Sequence, residues 1–391
     1  MLQNILLLSS TFFRNNLFTL CHLIYTDTFY MKRKWIRWVS WILLTPIILF
    51  VILMVLLYVP PVQNLLRREV TAYASKVTGM QIQVERIDLR FPLNLLVRGV
   101  EVIQQPDTLL SLESLNVRVQ AWPLIKGKVE VDEVTLSRVA VNSADLMEGM
   151  KIKGVLGRFF LQSHGVDLSN ELAVINQVEL SDTHMQLLMN DTTTTPKDTT
   201  ASAPINWKVA LHQLKLKNVS FGMQLPADSM RMTAHIGEAA INNAQADLKN
   251  QYYDLKKFLL SGTSASYDTG TAQPTEGFDA SHIAVRDIRI ALDSLLYKGR
   301  DMNAVIREFT MNERSGLSVT ALTGRAYSND SVICVPSLKL NTPHSEIDLS
   351  AHTYWELVNI PTTGRLSARL NAYIGKEDVM LFAGALPESF K

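Results

Sequence analysis

The chain has 391 residues, a formal net charge of +1 and 47% hydrophobic residues. Charged residues make up 19%, below the roughly 25% usual in soluble proteins, and a near-neutral balance argues against a nucleic-acid-binding stripe. Only two cysteines, Cys21 and Cys334, are present, which excludes a disulfide framework or a multi-cysteine zinc site.

Residues 1–30 are apolar but carry Arg14, Asn15 and Asn16. Met31 followed by Lys-Arg-Lys resembles a natural start, so translation is expected to begin there. A further membrane-associated segment is the alternative. Residues 31–59 hold a basic flank and a candidate transmembrane helix. From Trp38 to Val59 no residue is charged, which meets the about 20 residues needed to cross a bilayer. Pro46 is tolerated in such a helix. Trp35, Trp38 and Trp41 at one end and Tyr58 at the other form aromatic belts. Lys32, Arg33, Lys34 and Arg37 place the N-terminal side in the cytoplasm by the positive-inside rule. Everything after Val59 is then exported. The apolar run is too long for a signal peptide, and no small-x-small site follows it.

After Pro60-Pro61, Val62, Leu65, Leu66, Tyr73 and Val77 fall at helical spacing, and Gly79 is placed to end the helix. Strand signals dominate beyond it. Apolar residues recur with steps of +2, +3, +2, +3 at Val129, Val131, Val134, Leu136, Val139 and Val141, and again at Val209, Leu211, Leu214, Leu216, Val219 and Phe221. Shorter copies are Ile82, Val84, Ile87, Leu89, then Leu110, Leu112, Leu115, Val117, then Tyr253, Leu255, Phe258, Leu260. Ile283, Val285, Ile288, Ile290 and Ile333, Val335, Leu338, Leu340 follow the same rule.

A +2 step turns about 200° on a helix, and a flat strand predicts +2 throughout. One inserted residue per step, as in a β-bulge, returns all these side chains to one face and bends the strand. A tight turn at each +3 step is the alternative. The bulge reading predicts a mainly β fold: an elongated, curved antiparallel sheet with one continuous apolar face. That face is either an ordinary covered core or an open groove for acyl chains. Covering material is scarce, the best helical candidate being Ser143–Leu161, which Gly149, Gly154 and Gly157 weaken. Polar stretches at Asn190–Pro204 and Ser261–Gly277 interrupt the pattern. The expected organisation is a β domain over 60–190, a linker or loop over 191–204 and continuing β repeats over 205–391.

The order of these features resembles the N-terminal part of the AsmA-like / TamB family, the translocation and assembly module inner-membrane subunit. The resemblance rests on the basic flank and span, then VPPVQNLLRREVTAYASKVTGMQIQVERIDLRF, then LESLNVRVQAWPLIKGKVEVDEVTLSRVAVN. FDASHIAVRDIRIALDSLLYKG and the segment from Arg307 to Leu349 resemble repeats of longer members. It implies a Gram-negative inner-membrane anchor and a taco-like periplasmic β-groove. It further implies phospholipid as cargo and an outer-membrane β-barrel assembly protein as a partner. TamB-type members are far longer, so a fragment, a split gene or a short member all remain open.

On that reading the lipid-facing residues are Val129, Val131, Val134, Leu136, Val209, Leu211, Leu214, Leu216, Ile283, Val285, Ile288 and Ile290. A structural tether that uses the same sheet only for protein contacts is the alternative. No H-E-x-x-H, G-x-S-x-G or P-loop motif occurs, and no two of His164, His184, His212, His235, His282, His344 and His352 show i, i+4 ligand spacing. Asp287 and Asp293 share one strand-like run, a spacing too loose to suggest a catalytic pair. The expectation is a protein without cofactor or metal, and not an enzyme.

Overall fold

The structure is a computed structural model, which describes residues 58–91, 93–120, 130–143, 149–167, 170–189, 206–359 and 364–382, with positions 44, 45, 48, 52, 55 and 123. The basic flank Lys32, Arg33, Lys34 and Arg37, most of the uncharged run and the expected linker at 191–204 lie outside these residues. Leu44, Ile48, Ile52 and Val55 are helical and exposed. Among the described residues no helix is long and apolar enough to cross a membrane. The chain divides into two units, Met1–Gln63 and Asn64–Lys391, and every described strand belongs to the second.

Helix α1 runs from Pro60 to Thr78, close to the span its apolar spacing predicts. Proline suits a first helical turn, where its missing N–H costs nothing. Gly79 ends the helix at φ +68°, its N–H donating to the Ser75 carbonyl at 3.0 Å, a left-handed cap that glycine adopts without penalty.

The rest is mainly β. One long, curved, open sheet of sixteen strands follows chain order, except that the two-residue strand β12 (Ser318–Val319) pairs only with β11. The strands are β1 (Gln81–Arg90), β2 (Asn94–Gln104), β3 (Asp107–Val119), β4 (Val131–Asn142), β5 (Met150–Asp167) and β6 (Leu172–Met189). They continue as β7 (Lys208–Leu225), β8 (Met230–Asp247), β9 (Tyr252–Asp268), β10 (His282–Lys298) and β11 (Asp301–Glu313). After β12 come β13 (Ala321–Ser328), β14 (Val332–Asn341), β15 (Glu346–Tyr354) and β16 (Leu366–Tyr373). Two short helices, α2 (Trp355–Asn359) and α3 (Lys376–Leu381), follow β15 and β16 respectively.

Two expectations need correction. The sheet is not antiparallel throughout, because β6 and β7 run parallel. Parallel neighbours need a crossover of a dozen or more residues, and the connection from Met189 to Lys208 has that length. The part of Ser143–Leu161 from Met150 onward is not helical, since Met150–Asp167 forms β5, and residues 144–148 lie outside the described residues. The glycines that weaken a helix here suit a strand instead. A Cβ on Gly157 would lie 2.8 Å from the Asp182 carbonyl oxygen, so the two strands approach where only hydrogen fits.

The +2, +3 spacing has a specific cause. Along β4, Ser137 pairs with Ser114 and Val139 with Leu112, so Arg138 faces Glu113 with no change of register. The same break recurs strand by strand. Glu85, Gly99, Glu113, Arg138, Gly157, Asp182, Asn218, Gly237, Gly262 and Asp287 form one transverse line from β1 to β10. Six of them are left-handed: Gly99 (φ 57°), Arg138 (46°), Asp182 (51°), Asn218 (54°), Gly262 (59°) and Asp287 (55°). These are mostly the residue types that tolerate this region. From β1 to β9 neighbouring strands kink together and register is kept, so this is a crease in the sheet and not a series of one-sided bulges. Only β10 shows true register shifts at the line, on both sides of Asp287.

A second line crosses at Asn176, His212, Asn243 (φ 58°) and Lys256. It continues irregularly to Asp293 and Arg307, which form an ion pair at 3.4 Å. In β7 the two +3 steps, Leu211 to Leu214 and Leu216 to Val219, straddle His212 and Asn218 respectively.

The crease sets a stability test. Asn218→Val puts a β-branched residue at φ 54° and removes the Asn218 Nδ2 bond to Asp182 Oδ1 at 2.8 Å. It should lower unfolding free energy by about 1–3 kcal/mol. Asn218→Gly keeps the backbone and should cost less than about 1 kcal/mol. Urea unfolding followed by far-ultraviolet circular dichroism measures both; equal losses would mean that the left-handed geometry is not what Asn218 supplies.

Candidate functional site

Because each crease resets the alternation in neighbouring strands, apolar side chains meet in rows that cross the sheet. One row reads Ile87, Val97, Leu115, Leu136, Phe159, Leu180, Leu216, Ala239, Leu260, Ile290 and Phe309, from β1 to β11. Its neighbour reads Leu89, Leu95, Val117, Val134, Leu161, Val178, Leu214, Ile241, Phe258, Leu292 and Ile306. Across the first crease, Ile82, Val102, Leu110, Val141, Gly154, Met185, Phe221, Ala234, Ala265 and Val285 make a third. At a spacing of about 4.8 Å per strand, a row from β1 to β11 is roughly 50 Å long along its own contour.

The structure thus joins residues that the sequence offers only as separate copies. Leu136, Leu216 and Ile290 share one row, Val134 and Leu214 another, and Val285 lies in the third. Leu211 pairs with Ile175 and Ala244, and Val209 with Ala173 and Ala246. Val131 faces Val119, Ile283 faces Tyr267, and Ile288 faces Thr263. Val129 lies outside the described residues.

Burial is the decisive property of this face. Each described residue of that predicted set is half-buried, and none is fully so. Buried apolar residues among the described ones are Leu109, Leu112, Ala173, Ala239, Ala291 and Val319. No large side chain among them is completely enclosed. An ordinary sheet core of Leu, Ile and Phe would be covered by a second layer; here the described chain supplies none.

The opposite face is polar. Lys215 lies 3.7 Å from Glu179, and Arg118 lies 3.2 Å from Glu133. At the crease Arg138 pairs with Glu113, and Asn312 donates to Asp287 at 3.3 Å. A hollow of about 440 Å³ opens over Gly222, rimmed by Lys153, His184, Gln186, Ser220, Thr233 and His235. Ser220 Oγ and His235 Nδ1 are 2.9 Å apart, but no carboxylate lines the hollow to orient the ring as a base. Among the described residues no cluster of three His, Cys, Asp or Glu side chains is placed to hold a metal ion.

One end of the strands is tied down by α3. The Phe278 N–H donates to the Leu381 carbonyl at 2.7 Å, and the Phe278 and Phe382 rings lie 5.2 Å apart. The Leu381 side chain comes within 3.7 Å of where a Cβ on Gly316 would sit. Buried Asp378 anchors this helix by accepting hydrogen bonds from the Ser345 and Thr342 hydroxyls. Those bonds hold its carboxyl below the usual carboxylate range. Sequence reading missed this clasp, because the partners lie far apart in the chain.

The clasp has a measurable signature. Asp378→Ala leaves the Ser345 and Thr342 hydroxyls without their acceptor, a loss of about 1–3 kcal/mol. The Phe278 amide should then exchange with solvent roughly tenfold faster or more. The native carboxyl has a lowered pKa, so the clasp is fully formed above the ordinary Asp value of about 3.9. It is lost as pH falls through the lower folded value. Hydrogen exchange at neutral pH and at a pH below the ordinary Asp value measures both, and an unchanged Phe278 rate in the variant would count against the clasp.

No protein-family profile matches the chain, and no curated protein matches it at a significant level.

Proposed function

We propose that the chain is an inner-membrane-anchored, periplasmic protein of cell-envelope biogenesis. Its apolar face, a groove on this reading, binds phospholipid acyl chains for transport toward the outer membrane or in support of outer-membrane protein assembly. The observation that carries this reading is the set of registered aliphatic rows left half-exposed on an uncovered sheet. Each acyl methylene removed from water contributes about 0.8 kcal/mol, so such a surface favours a hydrocarbon occupant over water. Leu216 and its neighbours offer no polar partner to a ligand, which suits a chain and not a headgroup. The anchor rests on the uncharged run from Trp38 to Val59, and the envelope setting on the resemblance to the AsmA-like / TamB family.

Leu214 and Lys215 are adjacent in β7 but stand on opposite faces. Leu214 pairs with Val178 and Ile241, whereas Lys215 lies beside Glu179. A photo-reactive phenylalanine analogue at 214 in the full chain should crosslink phospholipid in cells, and one at 215 should not. Leu214→Asp should retain the β-sheet circular dichroism, because no covering layer is displaced, and should reduce lipid capture from a second probe at 216 at least tenfold. Equal lipid capture from 214 and 215 would leave the face without a ligand preference. Protein-only crosslinks at 214 would favour the tether.

A further inference from the structure

Helix α1 is amphipathic in the reverse of the usual sense. Its inward face is polar. Arg67 Nη1 donates to the Val84 and Glu85 carbonyls at 3.0 and 3.2 Å, and the Ile82 N–H donates to Ser75 Oγ at 3.1 Å. The Arg67 Nε and Thr71 Oγ1 atoms are buried beside them. Positions 67, 71 and 75 therefore form the stripe that rests on β1.

The outward face is apolar. Leu66 is 40% exposed, Val70 51%, Tyr73 71% and Val77 65%, with Leu65 beside them at 58%. Residues 66, 70, 73 and 77 are spaced to lie in one line along a helix. Exposed Glu69 and Lys76, one acid and one base, lie along one side of the line, whereas Arg68 falls on the side of the inward stripe, beside β1.

We propose that this stripe lies in the headgroup boundary of the bilayer, seating strand β1, an open edge of the sheet, at the lipid surface. This rests on the reading of residues 38–59 as a membrane anchor. The chain itself selects the occupant. Helix α1 begins at Pro60, immediately after the uncharged run, and a turn at Tyr58 and a bend at Val59 allow a change of direction. At about 1.5 Å per residue, Leu65 lies within roughly 10 Å of the end of that run, and Val77 within roughly 30 Å. An exposed aliphatic stripe that carries a tyrosine and continues directly from an apolar run is the pattern of a helix lying in the membrane interface. On this arrangement acyl chains leaving the bilayer meet Ile82, Val84, Ile87 and Leu89 of β1 first.

The test uses the full chain, with Cys21→Ser and Cys334→Ser, in vesicles of phosphatidylethanolamine and phosphatidylglycerol. Single spin labels are placed through Ile48→Cys, Tyr73→Cys, Val77→Cys and Gly270→Cys, all at exposed positions. Collision with oxygen and with a water-soluble nickel chelate reports the depth of each. The expected result is position 48 in hydrocarbon, 73 and 77 at the headgroup boundary, and 270 in water. If 48 lies in hydrocarbon while 73 and 77 match 270, the inference is wrong and the anchor stands. If 48 is also in water, the anchor reading fails and the inference with it. Dipolar broadening between labels at 73 on two copies would make a second chain the occupant and overturn the proposal.

Discussion

The architecture depends on a backbone constraint: successive strands kink at the same place. A lone kink in a sheet breaks the hydrogen-bond ladder, because the neighbour has no matching deviation. Here Arg138 faces Gly157, Gly157 faces Asp182, and Asn218 faces Gly237. The ladder therefore resumes in unchanged register on either side. The left-handed residue in β2, β4, β6, β7, β9 and β10 swings the alternation by one position, and the strands between them follow. That is why Leu136 and Val139, three apart, share a face while Leu136 and Ser137 do not. The glycines opposite serve the close approach, since a Cβ on Gly237 would lie 2.7 Å from the Gly262 carbonyl oxygen.

That constraint also bears on how the sheet holds together with no enclosed core among the described residues. Backbone pairing along strands as long as eighteen residues, cross-strand aliphatic contacts and polar pairs on the far face each contribute modestly. Their number replaces the enclosed core of an ordinary domain. The unsatisfied remainder is the apolar face itself. A sheet of this length with Leu, Ile and Phe exposed in rows carries an association hazard unless something apolar covers it. On the proposed reading hydrocarbon would meet that need without fixed geometry, whereas a protein cover would have to match the curvature of every strand.

Much of this was legible in the sequence. The +2, +3 copies located the rows in β1, β3, β4, β7, β9, β10 and β14, and Pro60 and Gly79 marked the ends of α1. Less visible was whether the extra residue belongs to one strand or to every strand, since a pattern within one strand says nothing of its neighbour. Segment Ser143–Leu161 misled because Gly154 and Gly157 interrupt its alternation; their reason lies across the ladder, at Met185 and Asp182. A repeated turn was also overlooked. Asp167-Leu-Ser-Asn170 and Asp247-Leu-Lys-Asn250 are near-copies, and in both the aspartate accepts from the asparagine N–H and side-chain amide. Left-handed Glu171 (φ 51°) and Gln251 (φ 48°) come directly after them. A search for D-L-x-N would have fixed the β5–β6 and β8–β9 hairpins, and with them the strand status of β5.

Uniformity of the rows bears on mechanism. From Leu115 through Leu216 to Ile290 the row repeats aliphatic or aromatic side chains of similar size, broken mainly by Ala239. No position along it offers a hydrogen bond or charge that would fix a ligand at one strand. A hydrocarbon lying across the strands would therefore meet nearly equivalent surroundings at each step of about 4.8 Å. Displacement by one strand exchanges one set of dispersion contacts for another of similar strength. The barrier to movement is then the difference between neighbouring sites, not the full affinity for the face. On the proposed lipid-binding reading, the repeated crease would let one face combine holding with passage, which a single deep pocket does not.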